Sequence, residues 1–173
     1  MLLAGWGLAP ALAAGNTCVL KPAEDTPLSA LYLCTVIEEL NLLPAGVLNV
    51  VTGLGETAGA GLSRNPKLRR MSFTGSPEVG RMVAEAAGRN LIPVKCELGG
   101  KGAAVVFNDV DIQETAEKLV QAITFHSGQV CCDATRWLIH RDIYDDFVDE
   151  CITRMKSVQI GYQMDCDAQM GPV

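Results

Sequence analysis

Short apolar runs alternate with longer amphipathic ones along this chain, and that alternation predicts its elements before any motif is read. Thr17-Cys18-Val19-Leu20 has the pattern of a buried strand, and Pro22-Ala23-Glu24-Asp25 that of a turn. Thr26 followed by Pro27 predicts a helix start, a cap and then a first-turn proline, with the helix running over residues 28–40. Residues 47–51 form a second strand pattern, stopped by Gly53 and Gly55, and a small-residue helix reaches to Leu62. Met71-Ser72-Phe73 gives a third strand, residues 77–87 a third helix, and residues 92–97 a fourth strand. Strands that alternate with helices predict an α/β fold, a parallel sheet covered on both faces.

A second unit begins near Gly99-Gly100. Residues 103–107 are strand-like, and Asp111 is placed to cap an amphipathic helix reaching Phe125. A glycine-containing loop follows, then Trp137-Leu138-Ile139 as a strand and residues 144–158 as a helix. The predicted organisation is residues 1–98 as one unit and 99–173 as another. A site between two such units is where pockets preferentially form.

The apolar run from Met1 to Ala14 resembles a signal peptide in composition, but it carries no Lys or Arg at its start. It is also too short to span a bilayer. An apolar helix leading into the first strand is the expected alternative. The net charge of -6 with 5% aromatic residues leaves no basic patch for nucleic acid. Seven cysteines without a Cys-x-x-Cys pair indicate neither a disulfide framework nor a zinc site. Cys18, Cys34, Cys96 and Cys151 are expected as small buried or half-buried apolar residues. His126 and His140 have no ligand-spaced partner, and His126 reads as an ordinary helix-end residue, so no metal is expected. Reduced thiols point to the cytoplasm.

Two segments carry chemistry. Ser127-Gly128-Gln129-Val130-Cys131-Cys132 offers a thiol nucleophile, and Cys96-Glu97-Leu98-Gly99-Gly100-Lys101 offers a carboxylate able to activate water. A thiol that attacks a carbonyl carbon needs such a second group to deprotonate the water that releases the acyl product. In this order and at this distance the two segments resemble the middle of an NAD(P)-dependent aldehyde dehydrogenase. The resemblance implies a partial Rossmann-like, dinucleotide-binding sheet over residues 1–98 and the start of a catalytic domain over 99–173. It implies oxidation of an aldehyde to a carboxylic acid, with Cys131 as nucleophile and Glu97 as general base.

Cofactor-binding residues follow from the same resemblance. Lys21 and Glu24, just past the first strand, would hydrogen-bond the adenosine ribose, and the Glu24 carboxylate should repel a 2′-phosphate and favour NAD over NADP. Phe73-Thr74-Gly75-Ser76-Pro77-Glu78-Val79-Gly80 resembles the family's pyrophosphate-proximal segment, with Ser76 at a helix N-terminus. Thr74, Gly75, Ser76, Gly80 and Leu98 are assigned to the cofactor on that basis, with Gly55 from the Gly53-Leu54-Gly55 cluster. Tight strand-to-helix turns are the plain alternative for both glycine clusters.

The resemblance covers the whole chain and about a third of a full-length family member. It implies that the chain opens just after the family's Pro-Trp-Asn segment and closes before its Glu-x-Phe-Gly-Pro segment. On that reading the oxyanion-holding Asn lies outside it, and losing one such donor costs about 100- to 1000-fold in rate. The isolated chain is then expected to be an inactive remnant that at most binds nucleotide or a full-length relative. Homo-oligomers are implied for the full-length family, through strands outside this chain. Asp133, two residues after Cys131, stands where the family usually has a small neutral residue.

Overall fold

The computed structural model describes residues 2–172. Met1, where the apolar run opens, lies outside the described residues. The chain divides into two compact units, Met1–Leu98 and Gly99–Val173.

In the first unit the apolar run forms helix α1 (Leu2–Ala13), of which only Leu8 is buried. Strand β1 (Cys18–Leu20) pairs in parallel with β2 (Leu48–Val50), Cys18 opposite Leu48 and Leu20 opposite Val50. Helix α2 (Leu28–Glu39) joins them. After β2 come a π-helical turn (Gly55–Gly59) and the short helix α3 (Ala60–Ser63). Strand β3 (Met71–Gly75) pairs in parallel with β4 (Val94–Leu98) across helix α4 (Pro77–Arg89). Ser76 caps α4 by accepting from the Val79 amide at 3.2 Å, with Pro77 in the first turn and Arg89 in the last. Met71, Ala86 and Ala87 are the buried centre of this layer, and Leu68, Val83, Ile92 and Val94 pack against them.

In the second unit β5 (Ala103–Val106) pairs in parallel with β6 (Arg136–Ile139). Helices α5 (Ile112–Thr124) and α6 (Tyr144–Ser157) supply the rest of the core. Asp111 caps α5 by accepting from the Glu114 amide at 2.9 Å, as its position in the sequence predicts. Phe147 is fully buried among Val106, Ala116, Val120 and Cys151, and the Trp137 ring meets it edge-on at 6.4 Å. Arg154 ties α6 to α5, donating to Glu150 at 2.6 Å and Glu117 at 3.0 Å.

Four expectations are corrected. The predicted single sheet consists of separate two-stranded parallel pairs, with no ladder joining β1·β2 to β3·β4 among the described residues. Nor are the strands covered on both faces. Val105 and Leu138 alternate with the buried Val106 and half-buried Ile139, so they point to the uncovered face and stay more than half exposed. Thr26 does not cap α2: Pro27 already has helical dihedrals, and its carbonyl accepts from the Ala30 and Leu31 amides with no side-chain cap bond. The small-residue helix after Gly53 is divided between the π-helical turn and α3. All seven cysteines are free, with Cys18, Cys34 and Cys96 half-buried and Cys151 buried, as expected.

The second unit depends on one aromatic side chain. Phe147→Ala should lower its stability by about 3–5 kcal/mol through lost burial and a residual cavity. Urea unfolding followed by Trp137 fluorescence in a Trp6→Phe background measures this. A loss below about 1 kcal/mol would contradict the packing described.

Candidate active site

The first group of residues gathers at the carboxyl ends of β1 and β2. Lys21 leaves β1 half-buried, and its Nζ donates to the Pro22 carbonyl at 2.8 Å, the Gly53 carbonyl at 2.9 Å and the Glu24 carboxylate at 3.3 Å. The Gly53 carbonyl reaches Lys21 because residue 53 adopts φ +139, where a Cβ would also lie 2.9 Å from the Ala58 methyl. Glu24 is exposed, and its carboxyl is held below the usual carboxylate range by its own backbone amide, then by Lys21, and lastly by the Gly55 amide. Lys21, Glu24, Gly53 and Gly55 are thus one polar cluster, with Lys21 as its hub. The Gly53 carbonyl was not singled out in the sequence, where no signal marks a backbone acceptor.

A second group sits at the carboxyl ends of β3 and β4. The parallel register sets Thr74 opposite Glu97 and Gly75 opposite Leu98. A Cβ on Gly80 would lie 2.5 Å from Leu98 Cδ2, so the bare backbone of α4 is what lets Leu98 rest there. Thr74, Gly75, Ser76, Gly80, Glu97 and Leu98 are therefore neighbours. They are built on a different strand pair from Lys21 and Glu24. Glu97 is exposed and pairs with Lys95 Nζ at 3.1 Å. Lys95 was not among the predicted residues, although its place two positions before Glu97 on the same strand face was a readable signal.

The thiol loop belongs to the second unit. Helix α5 ends at Thr124, and a short helical turn (Phe125–Gly128) follows with three successive left-handed residues: His126 at φ 50, Ser127 at φ 55 and Gly128 at φ 73. Gln129 N donates back to the His126 carbonyl at 3.1 Å. Cys131 and Cys132 then occupy a turn closed by the Asp133 amide donating to the Val130 carbonyl at 3.2 Å. Both thiols are exposed. Cys151 is the opposite case: burial, and then the Glu150 charge, push its thiol up, away from the reactive thiolate. Burial likewise raises the Cys18 thiol.

Asp133 is turned inward, its Oδ2 buried without a hydrogen-bond partner. A Cβ on Gly102 would lie 2.9 Å from the Asp133 carbonyl oxygen, so Gly102 permits this close approach to the start of β5. Burial of an aspartate was not legible in the sequence, because its polarity alone predicts exposure. The hydrogen bond from Ser127 Oγ to the Gly171 carbonyl, at 3.3 Å, spans too much sequence to be foreseen.

Each taken within its own unit, an exposed thiol on a tight turn can attack an electrophilic carbon, and an exposed carboxylate at a strand end can take a proton from water. Among the described residues no helix is long and apolar enough to cross a membrane.

Comparison with known proteins shows the family of the chain. Phenylacetaldehyde dehydrogenase of Pseudomonas fluorescens is 49% identical over 173 residues, 100% of this chain and 34% of that protein. Cytosolic aldehyde dehydrogenase 1 of Rattus norvegicus is 44% identical over 99% of the chain and 34% of its own length. The chain thus spans about a third of the length of these relatives. The crystal structure of PnpE in complex with nicotinamide adenine dinucleotide superposes with a TM-score of 0.94 at 42% identity, over 99% of this chain and 35% of that one. Betaine aldehyde dehydrogenase of Staphylococcus aureus, in complex with NAD+, gives 0.92 at 36% identity, over 98% and 34%. The family model described as "Aldehyde dehydrogenase family" matches residues 1–173, and the chain belongs to that family.

Proposed function

We propose that this chain supplies the nucleotide-facing and thiol-bearing segments of an NAD-dependent aldehyde dehydrogenase that forms a carboxylic acid. The observation that carries the reading is the exposed Cys131 on its closed turn, in the Gly128-Gln129-Val130-Cys131 order that resembles the family's thiol segment. Residues 1–98 are assigned to the dinucleotide-binding, Rossmann-like part and 99–173 to the beginning of the catalytic part. The relatives solved with NAD+ support the choice of cofactor.

Cys131 Sγ, as thiolate, attacks the aldehyde carbonyl carbon and forms a thiohemiacetal on the protein. NAD, when bound, supplies the hydride acceptor. The acyl group left on Cys131 is a thioester, and Glu97 takes a proton from the water that hydrolyses it. That returns the free thiol and releases the carboxylic acid. The exposed Lys95 lies beside Glu97 on the same strand face, with its Nζ 3.1 Å from the carboxylate. Glu24 provides the acceptor for ribose hydroxyls, and Lys21 holds it against the Gly53 turn. Gly75 and Ser76 lead into the start of α4, where backbone N–H groups favour a phosphate, and Gly80 is assigned to the cofactor by the resemblance. The resemblance supports Thr74, Leu98 and Gly55 as further cofactor neighbours. A cytoplasmic location and homo-oligomers in the whole protein are part of the same proposal.

The direct test places these 173 residues in the matching segment of the full-length Pseudomonas fluorescens relative. In that chimaera Cys131→Ser should abolish NADH production from an aldehyde, while Cys132→Ser should retain most of it. Glu97→Gln should give a burst of NADH and then slow turnover, because the water step follows hydride loss. An active Cys131→Ser chimaera would remove the assignment. A chimaera that binds NAD but makes no NADH with any aldehyde would favour a nucleotide-binding remnant instead.

Cofactor choice has its own test. A carboxylate beside the ribose repels a 2′-phosphate, so Glu24→Gln should narrow the NAD-to-NADP affinity ratio by about five- to tenfold. Calorimetric titration with both dinucleotides measures it, and an unchanged ratio would show that Glu24 does not face the ribose.

A further inference from the structure

The turn that delivers the chain from α5 to Cys131 is strained in an unusual way. His126 (φ 50, ψ 37) and Ser127 (φ 55, ψ 32) are consecutive non-glycine residues in the left-handed region, and Gly128 continues at φ 73. L-residues visit this region singly, and a successive pair persists only where surrounding contacts hold it. Local bonds are few: Gln129 N and Gln129 Nε2 both donate to the His126 carbonyl, at 3.1 and 3.4 Å. One contact comes from far away in sequence. Ser127 Oγ donates to the Gly171 carbonyl at 3.3 Å, in a half-buried setting.

Gly171 is itself anchored. The Gln159 carbonyl, just past α6, accepts from the Gln169 and Met170 amides at 2.8 and 3.1 Å. Gln159 N donates to the Gln169 side chain at 3.0 Å, and Gly161 N to the Met170 carbonyl at 3.0 Å. The segment from 159 to 171 is therefore a closed strap tied to the end of α6. Its last link is the hydroxyl at the centre of the left-handed turn.

We infer that Ser127 is a positioning residue: its hydrogen bond to the Gly171 carbonyl fastens the left-handed turn to the strap after α6 and so fixes the loop that presents Cys131. This rests on the reading of Cys131 as the nucleophile. Without the bond, His126 and Ser127 can relax towards ordinary dihedrals, and the turn formed by Val130 and Asp133 loses its fixed entry. A serine suits the position because its hydroxyl is short and donates close to its own backbone.

The test uses the 173-residue chain and three forms: wild type, Ser127→Gly and Ser127→Asn. Glycine relieves the left-handed strain but removes the donor, whereas asparagine tolerates this region and retains one. Amide hydrogen exchange at Gln129 and Asp133 should quicken about fivefold in Ser127→Gly, the effect of one ordinary hydrogen bond. It should return to within about twofold of wild type in Ser127→Asn, with α6 amides unchanged throughout. Unchanged exchange in Ser127→Gly overturns the inference, as does equal loosening in Ser127→Asn, since the donor would then be irrelevant. Iodoacetamide labelling resolved by peptide mass separates this from the nucleophile reading. Cys131 should label faster than Cys132 in wild type, and their ratio should fall towards one in Ser127→Gly. Faster labelling of Cys132 in wild type would fault the nucleophile assignment. A wild-type preference for Cys131 that survives Ser127→Gly unaltered would fault the positioning role alone.

Discussion

Two parallel strands can be joined only by a crossover that carries the chain back to the starting end, so the residues leaving both strands emerge side by side. Each of the three strand pairs here is parallel. In the first, Lys21 and the Gly53 turn come out together, and one ammonium group binds both Glu24 and the turn. In the second, the register places Thr74 and Gly75 against Glu97 and Leu98, with Gly80 bare beneath Leu98. The polar and permissive residues of the first unit are neighbours because of this geometry, and helix capping by Ser76 follows from it. Serine is the first residue past β3 and so becomes the cap of the returning helix.

The second unit uses the same pairing for a different purpose. The layer of β5, β6, α5 and α6 closes around Phe147 on one face. The crossover from β5 to β6 carries α5 and then the thiol loop, so the cysteine turn lies just before β6 begins. Trp137, near the start of β6, donates to the Ala134 carbonyl at 2.6 Å and fixes the end of that loop against the core. At the beginning of the loop the left-handed residues do the corresponding work. Exposure of Cys131 and burial of Cys151 thus arise from the same packing, which leaves one thiol on the loop surface and the other in the core, where burial pushes it up.

Much of this was readable from the residues. Period and punctuation located the six strands of the described residues, because each is flanked by glycine, proline or a capping side chain. Asp111 announced one helix start by its spacing to the apolar run. The candidate thiol and carboxylate came from the joint resemblance of the Gly128-Gln129-Val130-Cys131 and Glu97-Leu98-Gly99-Gly100 segments to the family, since either segment alone is a weak signal. What failed to show was long-range or solvent-dependent. The Ser127–Gly171 bond joins distant segments, and the close approach of the Asp133 carbonyl to Gly102 is a tertiary contact. Coverage on both faces was inferred from strand–helix alternation, but Val105 and Leu138 stay exposed because the described helices of that unit pack on the opposite side. Thr26 has the residue type of a cap, yet the helix begins with Pro27 in helical dihedrals and takes no side-chain acceptor.

The central claim is that Cys131 carries the acyl group during aldehyde oxidation. The measurement closest to it traps that group: the chimaera carrying Glu97→Gln is mixed with aldehyde and NAD, quenched in acid, and mapped by peptide mass. Slowed hydrolysis should leave the acyl mass on Cys131. An acyl group found on Cys132, or on no cysteine while NADH is produced, would contradict the account.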